Sequence, residues 1–552
     1  FSIWGTDGTL VFDSGDQFER ILARVAPDYF NSNHTEANLD GRSDDKGPEP
    51  ENLSIGTVGG RTYAFIGFER VGGVIVYDIT DPKAPTYVTY VNNRDFSAAA
   101  DSPAAGDLGP EGIQFIGAHR SPTGQPLLAV GNEVSGTTTL YSVEQLVGGA
   151  PVAQPDIRVL TINDFHGRLV PESGGVAGAA VLAGAVDTFR QQNPNTLLVS
   201  AGDNIGASAF ESFIDQDTPT IDALKTAGLD VSAVGNHEFD RGFDDLTGRV
   251  IPRFEENADA GAFSDFALGA NVFRKGTDEH ALKPYTIKEV DGTRIAFVGT
   301  VTEQTAGMVS PQGIADIEFR DQVASANDAA ADAVAEGADV VVLLAHEGSA
   351  GSDCAAIATE SGHFGDLVRG ASDDIDAIVS AHTHQKYACE IGGRPVIQAH
   401  QYGTTLGSLD IELTDAGDLE SITGSTVPLI DPALGQPIAF PDVDTRAVVA
   451  EAVRVADEKG RVQVGSITAD IMRGKTASGS EDRGVHSTLG NTVADVYLWA
   501  TSQNPAYGGR DAEVAFMNPG GLRADLLFGD DGGAVSYREV ANVQPFANTL
   551  VT

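Results

Sequence analysis

The sequence predicts a multidomain protein: an N-terminal region with the character of part of a β-propeller, then two α/β units joined by a helix. Three observations carry this reading. The chain has 552 residues, enough for about three or four domains. A repeat of about 60 residues runs through the first part, several short strands to each copy. Beyond it the pattern changes to apolar strands alternating with Ala-rich helices, the signature of α/β folding.

The N-terminal region covers residues 1–147. Pro50-Glu51-Asn52-Leu53 returns as Pro110-Glu111-Gly112-Ile113, and Ala64-Phe65-Ile66-Gly67-Phe68-Glu69 returns as Leu128-Ala129-Val130-Gly131-Asn132-Glu133. Gly73-Val74-Ile75-Val76-Tyr77 returns as Thr137-Thr138-Thr139-Leu140-Tyr141. Two or three such units do not close a propeller ring, which usually has roughly four to eight blades, so an incomplete region is expected. Gly148 to Asp156 reads as a linker.

The next unit is expected over residues 156–430. Its apolar strands are Ile157–Ile162, Leu197–Ser200, Val231–Val234, Arg294–Gly299, Val340–Ala345 and Ala377–Ser380, with helices over Gly174–Gln192 and Val323–Glu336. An amphipathic stretch over residues 444–460 reads as a bridging helix. A last unit, 461–552, is expected to place a helix at Leu489–Thr501, a strand at Glu513–Met517 and Gly-rich turns after it.

Charge narrows the partners. There are 79 acidic against 35 basic residues, a formal net charge of −44. Binding to duplex nucleic acid needs Lys and Arg at the phosphates, so that class is disfavoured, as is attraction to an anionic membrane. A small anionic substrate remains open if cations gather in one cleft. No run of about 18 apolar residues marks a transmembrane helix. The two cysteines, Cys354 and Cys389, are too few for a disulfide scaffold; they form one bridge or stay as two thiols.

The chemistry lies at strand ends. Ile157–Ile162 runs into Asn163-Asp164-Phe165-His166, and Leu197–Ser200 into Gly202-Asp203-Asn204. Val231–Val234 runs into Gly235-Asn236-His237-Glu238-Phe239-Asp240. Val340–Ala345 ends at His346, and Ala377–Ser380 at His382-Thr383-His384. Ligands of α/β sheets bind beyond the carboxyl ends of strands, so these five tips can meet. Imidazole and carboxylate suit zinc, manganese or iron. Two divalent ions about 3.5–4 Å apart polarise a phosphoryl group and activate water. Each motif alone is weak; five in this order are not.

This ordered set resembles the calcineurin-like metallophosphoesterases, and Gly235-Asn236-His237-Glu238-Phe239-Asp240 resembles their 5′-nucleotidase branch. The resemblance implies a four-layer α/β/β/α metallophosphoesterase domain followed by an α/β nucleotidase C-terminal domain, here truncated. It implies one metal on Asp164, His166, Asp203 and His384, and a second on Asp203, Asn236, His346 and His382, with Asp203 bridging. His237 and Asp240 match the family's catalytic dyad. Ser380-Ala381 stands before His382 where the family usually has Gly. His400 reads as a candidate neighbour of the site, and a bridge between Cys354 and Cys389 would brace the His382 and His384 loop.

Asn518-Pro519-Gly520-Gly521-Leu522-Arg523 is similar to the nucleotidase Asn-x-Gly-Gly-x-Arg motif, which implies phosphate contacts from Asn518, Gly521 and Arg523. Arg483 matches a second phosphate-binding Arg, and Phe546 a Phe that stacks on the base. The chain stops at Thr552, before the family's second stacking Phe. Asp44 to Glu51 and Tyr77 to Pro82 resemble the propeller-like choice-of-anchor regions beside bacterial surface phosphatases.

The expectation is a secreted dinuclear-metal phosphohydrolase, extracellular, cell-surface or periplasmic, acting as a 5′-nucleotidase on nucleoside monophosphates. Two divalent cations are implied, zinc or manganese first, with magnesium or calcium open. The same metal machinery also fits a 2′,3′-cyclic-nucleotide phosphodiesterase or a nucleotide-sugar hydrolase. A non-catalytic surface-binding protein is the alternative from another class.

Overall fold

The computed structural model describes residues 1–147, 155–255, 263–414, 416–430, 432, 435, 437–439, 441–506, 508–529 and 532–545. Two compact units form, Phe1–Gln154 and Pro155–Thr552. Most of the expected linker, and Phe546, lie outside the described residues.

In the first unit a four-stranded antiparallel sheet (Pro50–Val58, Arg61–Phe68, Val74–Asp78, Thr86–Val91) is followed by a three-stranded one (Pro110–Ile116, Leu127–Asn132, Thr137–Ser142). The sequence repeat is a structural repeat. Each first strand is irregular between its Pro and the second residue after it, Pro50/Asn52 and Pro110/Gly112. Phe65 and Phe115 stack across the two sheets with ring centres 6.0 Å apart. Gly56 is required there, since a Cβ would lie 2.4 Å from the Phe115 ring. Helix Gln17–Val25 buries Phe18 and Leu22 against Ile75 and Tyr77 of the first sheet. No closed barrel or ring of sheets forms among the described residues, so the propeller-like expectation reaches only as far as two repeated meanders.

The second unit is built on two facing sheets. One has the order Val231–Ser232, Thr196–Ser200, Ile157–Ile162, Thr405–Leu413, Leu419–Pro428. The other has the order Tyr285–Val290, Thr293–Val301, Val340–His346, Ala377–Ser380, Arg394–Ala399, Lys386–Ile391. Their central strands are parallel and buried on both faces, which is why they read as unbroken apolar runs. Val340, Val342 and Leu344 face the core between the sheets, with Val159, Val199 and Leu409 of the other sheet. Val341, Leu343 and Ala345 point outward into a cluster with Ala326, Ala330 and Leu367 of helices Gln322–Glu336 and His363–Gly370. On the far side Leu160 and Ile162 meet helices Ala179–Gln192 and Thr218–Thr226. The layering is therefore α/β/β/α.

Helix Val443–Gly460 follows, its N-terminus capped by Asp442, whose Oδ1 accepts from Thr445 N at 2.7 Å. Helix Thr488–Ser502 forms within a residue of its expected ends. The strand expected at Glu513–Met517 does not form. Val514 and Phe516 are 64% and 88% exposed, and among the described residues no strand pairs with this segment; an unpaired strand has little to hold it in water. In this part the paired strands are Gln463–Ser466 and Ala534–Ser536.

Candidate metal centre

The five strand tips do converge. Parallel pairing sets Ile157–Ile162 beside Thr196–Ser200, and Val340–His346 beside Ala377–Ser380, so their carboxyl ends finish together. Asp203 stands at the centre. Its Oδ2 is 3.1 Å from His346 Nε2 and 3.7 Å from His166 Nε2. Its Oδ1 accepts from the backbone N–H of His237 at 2.9 Å. Asn236 Oδ1 is 3.2 Å from His346 Nε2, and Asp164 Oδ1 is 3.4 Å from His384 Nε2. Three groups place their ligand atoms within 4.8 Å of one another: Asp164, His166 and His384; His166, Asp203 and His237; Asp203, His346 and His382.

The residues fit divalent cations. His346 Nδ1 faces Ala201 O and His166 Nδ1 faces Gly206 O, each at 2.8 Å. A carbonyl only accepts, so both Nδ1 atoms carry the proton and both Nε2 lone pairs face the cluster. Asp164 and Asp203 are 0% and 2% exposed, and buried carboxylates need a compensating positive charge. Burial pushes the Asp203 carboxyl up, but His346, His237 and His166 outweigh it and hold it well below the usual range. Burial pulls His346 down, yet Asp203 and Asp164 raise it to about 10. The field that would hold a proton on His346 is a field for a cation.

The dyad is assembled. His237 Nδ1 lies 2.8 Å from Asp240 Oδ2, which leaves Nε2 as the ring's second nitrogen. Burial lowers the His237 imidazole, but Asp203 and then Asp240 carry it to about 9. A Cβ on Gly206 would come within 2.7 Å of Asp240 Oδ2, so a side chain there would push the dyad apart.

Several further residues support the site. Glu238 is buried and accepts from the backbone N–H groups of Asp203 and Asn204 at 2.9 Å and Gly235 at 2.6 Å, tying two tips together. Burial and the charge of Asp203 push its carboxyl up to about 7. Asn163 Nδ2 donates to Asp164 Oδ2 at 2.7 Å and to His400 O at 2.6 Å. His400 thus supports the site through its carbonyl; its ring faces Thr404 Oγ1 at 2.9 Å. Tyr402 sets its ring against those of His166 and His384, at 5.8 and 5.6 Å. Ser380 Oγ is engaged by Tyr387 OH at 2.7 Å, in the strand that leads into the His382 loop. Cys354 and Cys389 are bridged.

The expected substrate residues are less gathered. Arg523 lines a cleft of about 690 Å³ with Arg168, Tyr402, Arg538 and Pro545. Arg483, Asn518 and Gly521 are not among its lining residues. Arg483 Nε is 3.0 Å from Glu481 Oε1, and Asn518 Oδ1 accepts from Gly520 N at 3.1 Å. Pro545 also lines a small cavity with His237 and Asp240. The C-terminal part is held by Arg538, which bonds Glu211 at 2.5 Å and Asp457 at 3.0 Å and lies 4.6 Å over the Phe210 ring.

A two-sheet sandwich with a His/Asp cluster at its strand tips defines the class, a metallophosphoesterase. Residues 157–386 match the calcineurin-like phosphoesterases, 463–552 the 5′-nucleotidase C-terminal domain, and 1–82 the choice-of-anchor I domain. By these matches the chain carries a calcineurin-like phosphoesterase domain and a 5′-nucleotidase C-terminal domain. Endonuclease YhcR of Bacillus subtilis is 32% identical over 416 residues, 73% of this chain, which spans 32% of that protein's length. A 5′-nucleotidase of Vibrio vulnificus is 26% identical over 438 residues, 71% of this chain and 72% of that protein. In fold, the chain is similar to the solved structure of a Staphylococcus aureus protein assigned to the 5′-nucleotidases (TM-score 0.52, 18% identity, 71% of this chain and 72% of that one). No helix among the described residues is long and apolar enough to cross a membrane.

Proposed function

We propose that this chain is a dinuclear-metal phosphohydrolase that releases phosphate from nucleoside 5′-monophosphates. The observation that carries the reading is Asp203, a buried carboxylate set between His166 and His346 at 3.7 and 3.1 Å. One ion would be held by Asp164, His166, Asp203 and His384, the other by Asp203, Asn236, His346 and His382. Bound there, divalent cations supply Lewis-acid polarisation of a phosphoryl group and an activated water. Zinc and manganese suit this donor set, with magnesium and calcium less so.

The chain's own residues do the rest. His237 holds a proton, and its Nε2 is the ring nitrogen left to give it to the ester oxygen as that oxygen leaves. Asp240, at 2.8 Å from Nδ1, fixes the tautomer and steadies the imidazolium. Arg523 and Arg483, with Asn518 and Gly521, are read as phosphate contacts from the C-terminal domain, and Phe546 as a face for the base.

A second reading, cleavage of phosphodiesters, is favoured by the 32% identity to an endonuclease. The net charge of −44 speaks against a long polyanionic substrate. A secreted or surface location is read from the Cys354–Cys389 bridge, since such bridges persist in oxidising compartments.

The test is phosphate release from 5′-AMP by metal-stripped chain refilled with manganese or zinc, beside His237→Ala. Restored release that the substitution largely abolishes is the expected result. Release only from a diester such as bis(p-nitrophenyl) phosphate would favour the second reading. No metal uptake would sink both and favour a binding protein.

A further inference from the structure

One cation in the cleft beside the metal cluster is accounted for by none of the motifs. Arg168 follows His166 by two residues, and its guanidinium carbon lies 4.3 Å from the centre of the Tyr402 ring. That ring in turn rests on His166 and His384. The Nε of Arg168 is buried and has no hydrogen-bond partner among the described residues. Its remaining ionic contact is loose, 3.3 Å from NH1 to Glu172, a side chain 37% exposed. Arg168, Tyr402 and Arg523 line the same cleft of about 690 Å³, a volume typical of small-ligand sites.

A buried guanidinium N–H without an acceptor costs free energy that an arriving acceptor returns. Stacking on an aromatic face fixes the plane of the guanidinium, and a fixed fork suits phosphate oxygens better than a mobile ammonium does. In a chain with 79 acidic residues, a cation kept next to the cluster and only loosely matched by a carboxylate points to an anionic ligand. Resting on the phosphohydrolase reading, we propose that Arg168, held flat on Tyr402, is a phosphate-binding residue of the substrate cleft. It reaches the phosphate of a phosphomonoester from the phosphoesterase domain, while Arg523 of the C-terminal domain lines the same cleft. The loose pair with Glu172 is exchanged for the phosphate when substrate enters.

The test is calorimetric binding to the full, manganese-loaded chain of three probes: inorganic phosphate, adenosine 5′-(α,β-methylene)diphosphate and, as the uncharged control, adenosine. Arg168→Met is expected to weaken both phosphate probes by about 10- to 100-fold and to leave adenosine unchanged. Arg168→Lys keeps the charge without the fork and falls between. Tyr402→Leu keeps the guanidinium but frees it, and weakens phosphate several-fold; it carries the test if the Met variant does not fold. A Met variant with the parent's melting temperature and the parent's phosphate affinity overturns the proposal. Wild-type chain that binds phosphate through Arg168 yet hydrolyses no phosphomonoester sinks the phosphohydrolase reading and leaves this one. Wild-type chain that binds neither phosphate probe sinks both.

Discussion

Glu238→Gln is the sharpest probe of what holds the site in register. The carboxylate takes four backbone N–H groups: Oε2 accepts from Asp203 and Gly235, and Oε1 from Asn204 and, at 3.5 Å, Ile205. Glutamine offers one oxygen and one NH₂. Whichever way the amide turns, at least one buried N–H then faces a donor. Each orphaned N–H costs about 1–3 kcal/mol, and the surviving bonds lose the assistance of charge. The sum is about 2–5 kcal/mol. Much of it falls on the contact between the Gly202–Asn204 turn and the Gly235–Asp240 turn, which carry Asp203, Asn236 and His237. Urea denaturation of metal-free chain at about pH 8, where the carboxyl is ionised, measures the stability loss. Metal content after dialysis measures the loss of register, and fewer than two ions per chain are expected. A Gln variant that unfolds with the parent and keeps both ions would refute the clamp.

Three further outcomes are expected. Gly235→Ala places a Cβ 2.1 Å from Asp203 Oδ1 and 2.6 Å from His346 Cε1, so metal stoichiometry should fall even where the chain stays folded; elemental analysis checks it. Replacing Cys354 and Cys389 by Ser opens a loop of sequence separation 35, worth about 4 kcal/mol in the chain-entropy account, and reductant should destabilise the parent by the same amount while leaving the variant alone. Burial opposes the charge on Asp265, but Lys283 and Lys288, at 2.6 and 2.8 Å, hold its carboxyl at about 2. Its folded pKa is depressed, so its stabilisation is present above about pH 4 and is lost as pH falls toward 2. Allowing for its partial exposure, Asp265→Asn should cost about 1–2 kcal/mol at neutral pH, with a gap that narrows below pH 4 in a pH series of melting curves.

The strands that carry the site were legible because the sandwich buries both faces of each one. Burial on both sides forces unbroken apolar runs such as Val340–Ala345, and the polar residue that ends each run marks the tip. The helices were legible from their apolar spacing, and Ile157–Ile162 and Ala377–Ser380 formed with the expected ends. The segment Glu513–Met517 carries a short apolar run too, Val514 to Met517, and failed, because a strand also needs a neighbour, and pairing is not written in the segment itself. Glu238 lay inside a motif, but its four N–H partners come from two different turns. Asn163 reaches Ala399 and His400 across more than 230 positions. Arg168 gains its meaning from Tyr402, a loop residue with no periodic signal. These are contacts that only the closed fold defines.

The backbone explains why so many supports are needed. Asp164, His166, Asp203, His382 and His384, five of the seven expected metal ligands, hold φ between 48° and 69°, as do His400 and Tyr402 behind them. Left-handed φ is uncommon for residues with a Cβ and costs on the order of 1 kcal/mol each, though Asp and His bear it better than most. Such strain persists only where the surroundings over-determine it. Here Asp164 N donates to Gly202 O at 3.0 Å, Asp164 O accepts from Tyr402 N at 2.8 Å, and His166 N donates to Asp203 O at 3.1 Å. Asp164 also accepts from His382 N at 3.0 and 3.1 Å. Every one of these bonds joins two different strand tips. The ligand positions are therefore set by the scaffold, and the sandwich core that aligns the tips is the source of the rigidity. The two buried carboxylates, Asp164 and Asp203, are held close against their mutual repulsion, and a bound cation would relieve it without having to build the geometry.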